Sequence, residues 1–100
     1  LLLKSAQRHA QEEKAGEKAW FLYVLRCADD TFYTGTTTDI SRRVDEHNTK
    51  QCGAKYTKTR RPVKLIFWLD FENRSKAQKA EYKFKKLTRA QKEKIISESR

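Results

Sequence analysis

A short turn between two strand-like runs constrains this chain more than any other feature. Trp20–Arg26 is a run of aromatic, β-branched and aliphatic residues up to its closing arginine, and Thr31–Gly35 is a second, shorter one. Ala28-Asp29-Asp30 between them has turn chemistry. The pattern predicts a β-hairpin near the start of the folded domain.

Behind the hairpin, Thr36-Thr37-Thr38-Asp39 supplies capping side chains to a helix over Ile40–Asn48. Residues 49–62 are polar and run into Arg61-Pro62, which predicts a loop. Lys64–Phe71 alternates Leu65, Phe67, Leu69 and Phe71 with Ile66, Trp68 and Asp70. Being apolar on nearly both sides, it reads as a central, well-covered strand. Ser75-Lys76-Ala77-Gln78 and Thr88-Arg89-Ala90-Gln91 both match the capping box, so each opens a helix. Residues 1–19, rich in Ala, Gln, Glu and Lys and interrupted by Gly16, read as a flexible or frayed-helical extension. That leaves 20–100 as one domain, for which a hydrophobic fraction of 37% in 100 residues supplies a single modest core. The predicted class is α/β (α+β), in the order β-β-α-β-α-α, with a small, mainly antiparallel sheet flanked by helices.

The formal net charge of +10 is unevenly spread. Residues 73–100 carry 10 cations against 3 acids. From His47 to Leu69 there is no acid, while Lys50, Lys55, Lys58, Arg60, Arg61 and Lys64 are present. The phosphate backbone of a nucleic acid is the matching partner, because neutralising it releases condensed counterions. Lys50, Lys55, Lys58, Arg60 and Arg61 are therefore candidate nucleic-acid-binding residues, with Tyr56 placed to stack on a base. Cys27 and Cys52 form no Cys-x-x-Cys pair, and His9 and His47 sit at no zinc spacing. Both thiols read as free in a reducing cytoplasm. No apolar run approaches the roughly 20 residues that span a membrane.

Several polar side chains fall where apolar ones belong. On a helix over Ile40–Asn48, the stripe holding Ile40 and Val44 is completed by Arg43 and His47, whereas Arg42 points off it. The later helix gives Ala77, Ala80, Glu81 and Phe84 on one stripe, so Glu81 stands where leucine would be usual. In the hairpin, Tyr23 and Tyr33 come to one face, opposite or diagonal to each other. Gly35 closes the second strand, where a missing Cβ lets backbone or ligand approach. Each feature has a plainer alternative: an ion pair with a lysine for Glu81, a solvated helix edge for Arg43 and His47, ordinary strand aromatics for the tyrosines. A shared polar pocket would explain them together.

Phe21-Leu22-Tyr23, followed ten positions later by Tyr33-Thr34-Gly35, resembles the paired motifs that name the GIY-YIG nucleases. Arg43 follows that Gly by eight residues, as the family's Arg does, and His47 comes four further on. Arg42 to Asn48, the Gly53-Ala54-Lys55-Tyr56-Thr57 segment and Arg61-Pro62-Val63 resemble the single-domain bacterial YhbQ-type branch. The likeness covers about residues 20–97. It implies a three-stranded antiparallel sheet flanked by helices, and one divalent ion, Mg²⁺ (or Mn²⁺), held by Glu81. It further implies hydrolysis of DNA phosphodiester bonds to 3′-hydroxyl and 5′-phosphate ends, with Tyr23, Tyr33, Arg43 and His47 as catalytic groups. A domain this small has little left for reading sequence, so branched or damaged DNA selected by shape or by a protein partner is the expected substrate, RNA being less favoured. A module that binds nucleic acid without cutting it is the competing expectation.

Overall fold

The computed structural model describes residues 19–49 and 54–99. The elements, in order, are β1 (Trp20–Arg26), β2 (Phe32–Thr37), α1 (Ile40–Thr49), α2 (Lys55–Lys58), β3 (Lys64–Phe71), α3 (Arg74–Lys85) and α4 (Arg89–Glu98). The strands form one antiparallel sheet in the order β2-β1-β3. The α+β class and the predicted element order hold, with α2 as an added single turn inside the segment read as a loop. The N-terminal extension lies, except for Ala19, outside the described residues, as do Lys50 and Cys52.

The hairpin forms because Asp30 tolerates the left-handed conformation its turn requires, at φ 69°. Asp29 braces the same turn by accepting from the Thr31 hydroxyl at 2.6 Å and its N–H at 3.2 Å. Arg60 and Arg89 then hold the turn from two directions, Arg60 on the Asp29 carboxylate at 3.0 Å and Arg89 on the Asp30 carbonyl at 2.7 Å.

β1 is the central strand, not β3. Phe21 through Leu25 are all buried, so this is where a run apolar on both faces belongs. Its even residues Leu22 and Val24 pack with Phe67, Phe84 of α3 and Ile96 of α4. Its odd residues face the other way: Phe21 packs with Ile40 of α1, and Tyr23 and Leu25 with Val63. Full burial of each such large apolar side chain contributes about 1.5–3 kcal/mol.

β3 is an edge strand, and Leu69 on it is 43% exposed. Its double-sided apolar pattern has another cause. The pairing with β1 slips between Val24 and Leu25, so that Val24 faces Phe67 while Leu25 faces Leu65. Ile66 is the extra residue, a bulge that sends Leu65 to the tyrosine face and Phe67 to the opposite one. Strict alternation cannot anticipate that reversal.

Asp39 caps α1 by accepting from the Arg42 N–H at 3.1 Å, as its sequence position suggests. Thr88 and Gln91 form the predicted capping box on α4. The cap of α3 is Asn73 rather than Ser75: with extended backbone at φ −153°, its side chain accepts from the Lys76 N–H at 2.9 Å, and Ser75 is already in the first turn. No described helix is long and apolar enough to cross a membrane.

Candidate active site

The register sets Tyr23 directly across from Gly35 and Leu25 across from Tyr33, so the two tyrosines are diagonal neighbours on one face. Their ring centroids are 6.3 Å apart. On α1, Ile40 and His47 are buried, Arg43 and Val44 half-buried, and Arg42 exposed, which is the order the helical stripe requires. The side chain of His47 is fully enclosed.

That burial brings the imidazole onto the tyrosines. His47 Nε2 lies 2.8 Å from the Tyr23 hydroxyl, and its ring meets Tyr33 edge-on at 5.0 Å. On the other side, Nδ1 lies 2.8 Å from the Thr57 hydroxyl, which α2 carries into the core. Arg61 donates to the His47 carbonyl, and the Asn48 side chain bridges both backbone groups of Val63, at 2.7 and 3.0 Å. The end of α1 is thus fastened to the start of β3.

Arg43 hydrogen-bonds both Glu46, at 2.8 Å, and the Tyr23 side chain. Burial works against its charge, yet these partners outweigh burial and raise its pKa. Arg42 holds the other Glu46 oxygen at 3.2 Å from the solvent side. Glu46 was not singled out by sequence, although its i+3 spacing from Arg43 could have marked it. Thr57 gave no such signal, being one more hydroxyl in a polar stretch.

The electrostatics are those of an enclosed site. Burial, with the Tyr33 phenol and the Glu81 carboxylate, lifts the Tyr23 pKa to about 12 against the pull of Arg43. Burial, with Arg43, lowers His47 to about 4, so the imidazole is neutral at pH 7. An unfolded histidine takes up its proton near 6.5, and the folded one resists until about 4. The unfolded state therefore binds more protons in that window, and stability falls as pH drops through it, by up to about 1.4 kcal/mol per unit. Denaturant melts between pH 4 and 7 should show this limb, and His47→Gln should flatten it. An equally steep limb in the variant would assign it to other groups.

Glu81 occupies the inward stripe of α3 between buried Ala77 and Phe84, with its side chain 21% exposed. Its charge acts on Tyr23, and Lys85 is its ion-pair partner at 3.1 Å. The expected lysine pair is therefore present, and the Glu81 charge bears on the Tyr23 phenol as the weakest of the influences on it. Among the described residues, no three His, Cys, Asp or Glu side chains gather as a metal cluster. A single carboxylate is still sufficient for Mg²⁺, which commonly takes one or two protein oxygens and completes its shell with phosphate and water. Glu81, half-buried and already matched to a cation, fits that role.

Of the basic segment, Lys55, Tyr56 and Lys58 are exposed. Arg60 is engaged with Asp29 at the surface and lies over the Tyr56 ring at 3.9 Å, while Tyr33 stacks against the same ring at 6.0 Å. Both neighbours share the Tyr56 ring with any base that would stack on it, although the side chain is exposed. Beside Tyr33 a groove of about 260 Å³ runs between Phe32, Thr34, Tyr56, Lys85 and Lys92.

The GIY-YIG catalytic domain profile matches residues 19–94, a span that holds the three strands, α1 to α3 and the first part of α4. The UPF0213 protein YazA of Bacillus subtilis is 52% identical over 80 residues, 80% of each chain. A UPF0213 protein of Listeria innocua is 56% identical over 79 residues, 78% of this chain and 86% of its own. The solution NMR structure of an E. faecalis protein, 48% identical, superposes with a TM-score of 0.57 over 81% of this chain and 85% of that one. The UPF0213 protein of Bacillus halodurans, 39% identical, gives 0.52 over 79% and 83%. These names carry a family and no activity. With the hairpin tyrosines, Arg43 and Glu81 inside the matched span, the chain belongs to the GIY-YIG catalytic domain family, a nuclease superfamily, and to its UPF0213 branch.

Proposed function

We propose that this domain is a metal-dependent endonuclease that hydrolyses DNA phosphodiester bonds, selects its substrate by shape and serves DNA repair or processing. The observation that supports it most is the 2.8 Å contact between the Tyr23 hydroxyl and His47 Nε2, beside the Arg43 guanidinium. A phenol with a pKa of about 12 cannot act as a base at neutral pH unaided. Given an adjacent neutral imidazole, Tyr23 can take a proton from the attacking water while passing its own to His47. The water oxygen bonds to phosphorus, the bond to the 3′ oxygen breaks, that oxygen takes a proton from solvent, and the ends are 3′-hydroxyl and 5′-phosphate. Tyr33 positions the water or the phosphate, and Arg43 neutralises charge developing on the phosphoryl oxygens. Glu81 would hold Mg²⁺ or Mn²⁺, whose chemistry is to stabilise charge at the leaving oxygen.

DNA would approach over Lys55, Tyr56, Lys58, Arg60 and Arg61, with Lys50 outside the described residues. Lys85 and Lys92 in the groove beside Tyr33 extend that positive surface toward α3 and α4. Incubating the pure protein with single-stranded, duplex and branched DNA and RNA, with and without Mg²⁺ or Mn²⁺, tests the reading. Cleavage abolished by chelation supports it; tight binding without products would establish a non-cleaving module instead.

The two neighbouring arginines give a sharper check. Arg43→Ala is expected to reduce cleavage by about 10²–10³-fold, the usual cost of losing one group that stabilises developing charge. Arg42, exposed and engaged among the described residues with Asp39 and Glu46, should have little effect on cleavage when replaced by Ala, its helix pairs being worth a few tenths of a kcal/mol of stability. The opposite ranking in a cleavage assay would refute the assignment.

A further inference from the structure

His47 has two ring nitrogens and one proton at neutral pH, and which nitrogen carries it decides whether Tyr23 has an acceptor. The surrounding distances discriminate between the two forms. If Nδ1 carries the proton, it donates to Thr57 Oγ1 at 2.8 Å, the Thr57 hydroxyl donates to the Ala54 carbonyl at 2.9 Å, and the Tyr23 hydroxyl donates to Nε2 at 2.8 Å. Three short bonds form, and the Tyr23 oxygen remains free to accept from Arg43. If Nε2 carries it, the Tyr23 oxygen accepts from both His47 and Arg43, and among the described residues its own proton has no further partner at a residue only 1% exposed. The Ala54 carbonyl also loses the Thr57 hydroxyl proton, though it keeps the Thr57 N–H at 3.1 Å, and the compensation is a single long contact, from the Ala54 N–H to Nδ1 at 3.4 Å. An unsatisfied buried hydroxyl makes the second form the poorer one.

We infer that Thr57 is a positioning residue of this site: by accepting from Nδ1 and donating to the Ala54 carbonyl, it holds the His47 proton on Nδ1 and keeps Nε2 open to the Tyr23 hydroxyl. The arrangement places a third group behind the base, as the carboxylate does in a Ser-His-Asp triad, but here that group is neutral. Its hydroxyl passes polarisation on to a backbone carbonyl, which strengthens each bond in the chain. When His47 receives the Tyr23 proton, the imidazolium keeps both of its N–H bonds satisfied. The groups facing the ring are Tyr23 of β1, Tyr33 of β2, Arg43 and Glu46 of α1, Thr57 of α2, and Arg61; Thr57 is the one bonded to Nδ1 through its side chain.

The kinetic half of this inference rests on the proposed cleavage reaction; the location of the proton does not, and the two are tested separately. Ring ¹⁵N spectra of the histidine-labelled full chain at pH 7, with His9→Gln to assign His47, should show a protonated Nδ1 and an unprotonated Nε2. A proton on Nε2 in the wild type overturns the inference whether or not the protein cleaves DNA. In Thr57→Val, which keeps the shape but removes the acceptor, the proton should move toward Nε2. In that variant kcat should fall about tenfold to a hundredfold with KM unchanged. Thr57→Ser should retain the wild-type spectrum and most of kcat. A Thr57→Val protein that keeps both the Nδ1 proton and its kcat removes Thr57 from the mechanism. If cleavage is absent throughout while the spectra follow this pattern, the proposed reaction fails and the role of Thr57 in placing the proton stands.

Discussion

Glu81→Gln is expected to lower Mg²⁺-dependent cleavage by about 10³-fold, roughly 4 kcal/mol in the barrier, while the fold and metal-free DNA affinity are retained. The fold should survive because the ion pair lost among the described residues is with Lys85, whose side chain is 55% exposed one turn away, and such pairs are worth little. The direction of the kinetic effect is informative. The Glu81 charge raises the Tyr23 pKa, so removing it makes the phenol easier to deprotonate. If Glu81 acted only through that field, Glu81→Gln would cleave as well as the wild type or better, with its alkaline limb moved to lower pH. A deep loss instead assigns Glu81 to ligation, and it should be accompanied by loss of Mn²⁺-induced NMR line broadening around α3. Wild-type cleavage by the variant would remove Glu81 from the site altogether.

What could be read in the chain beforehand follows the physics of each signal. Helical stripes are local and periodic, so the inward placement of Arg43, His47 and Glu81 and the outward one of Arg42 could be reached by counting. The diagonal of Tyr23 and Tyr33 needed only the hairpin and its turn. Strand order is a non-local property: Lys64–Phe71 carries as much apolar character as a central strand, and only the pairing with β1 exposes it as an edge with a bulge at Ile66. Thr57 was illegible for the same reason. Its hydroxyl matters because α2 folds it against a ring ten residues earlier, and nothing in the local pattern distinguishes it from Thr59, which is exposed. The cap at Asn73 was missed because Ser75 offered an equally good motif, and the backbone chose the earlier residue. Inward stripes and a hairpin closed by a short turn were readable, and contacts between elements distant in the chain were not.

Gly35→Ala should cost about 1–3 kcal/mol of stability and roughly 10²-fold in kcat, a disproportionate effect for a single methyl group. Space, not conformation, is what this position requires, since its φ lies outside the left-handed range. A Cβ built there stands 2.6 Å from the Tyr23 hydroxyl, 2.8 Å from Cζ and 3.1 Å from Cε2, because the phenol lies across the bare backbone of its cross-strand partner. The ring cannot swing clear: it is 1% exposed, its hydroxyl is tied to His47 at 2.8 Å, and Tyr33 lies alongside at 6.3 Å. Yielding falls to β2, an edge strand, or to the Tyr23–His47 contact, and either motion displaces the group proposed to meet the attacking water. The double variant Gly35→Ala with Tyr23→Phe separates these costs. Deleting the hydroxyl removes the closest clash and should restore part of the melting temperature, while activity stays lost. Additive effects on stability, or a Gly35→Ala protein with unaltered melting and cleavage, would mean that the phenol has room to move and that its contact with His47 is not held by the strand beneath it.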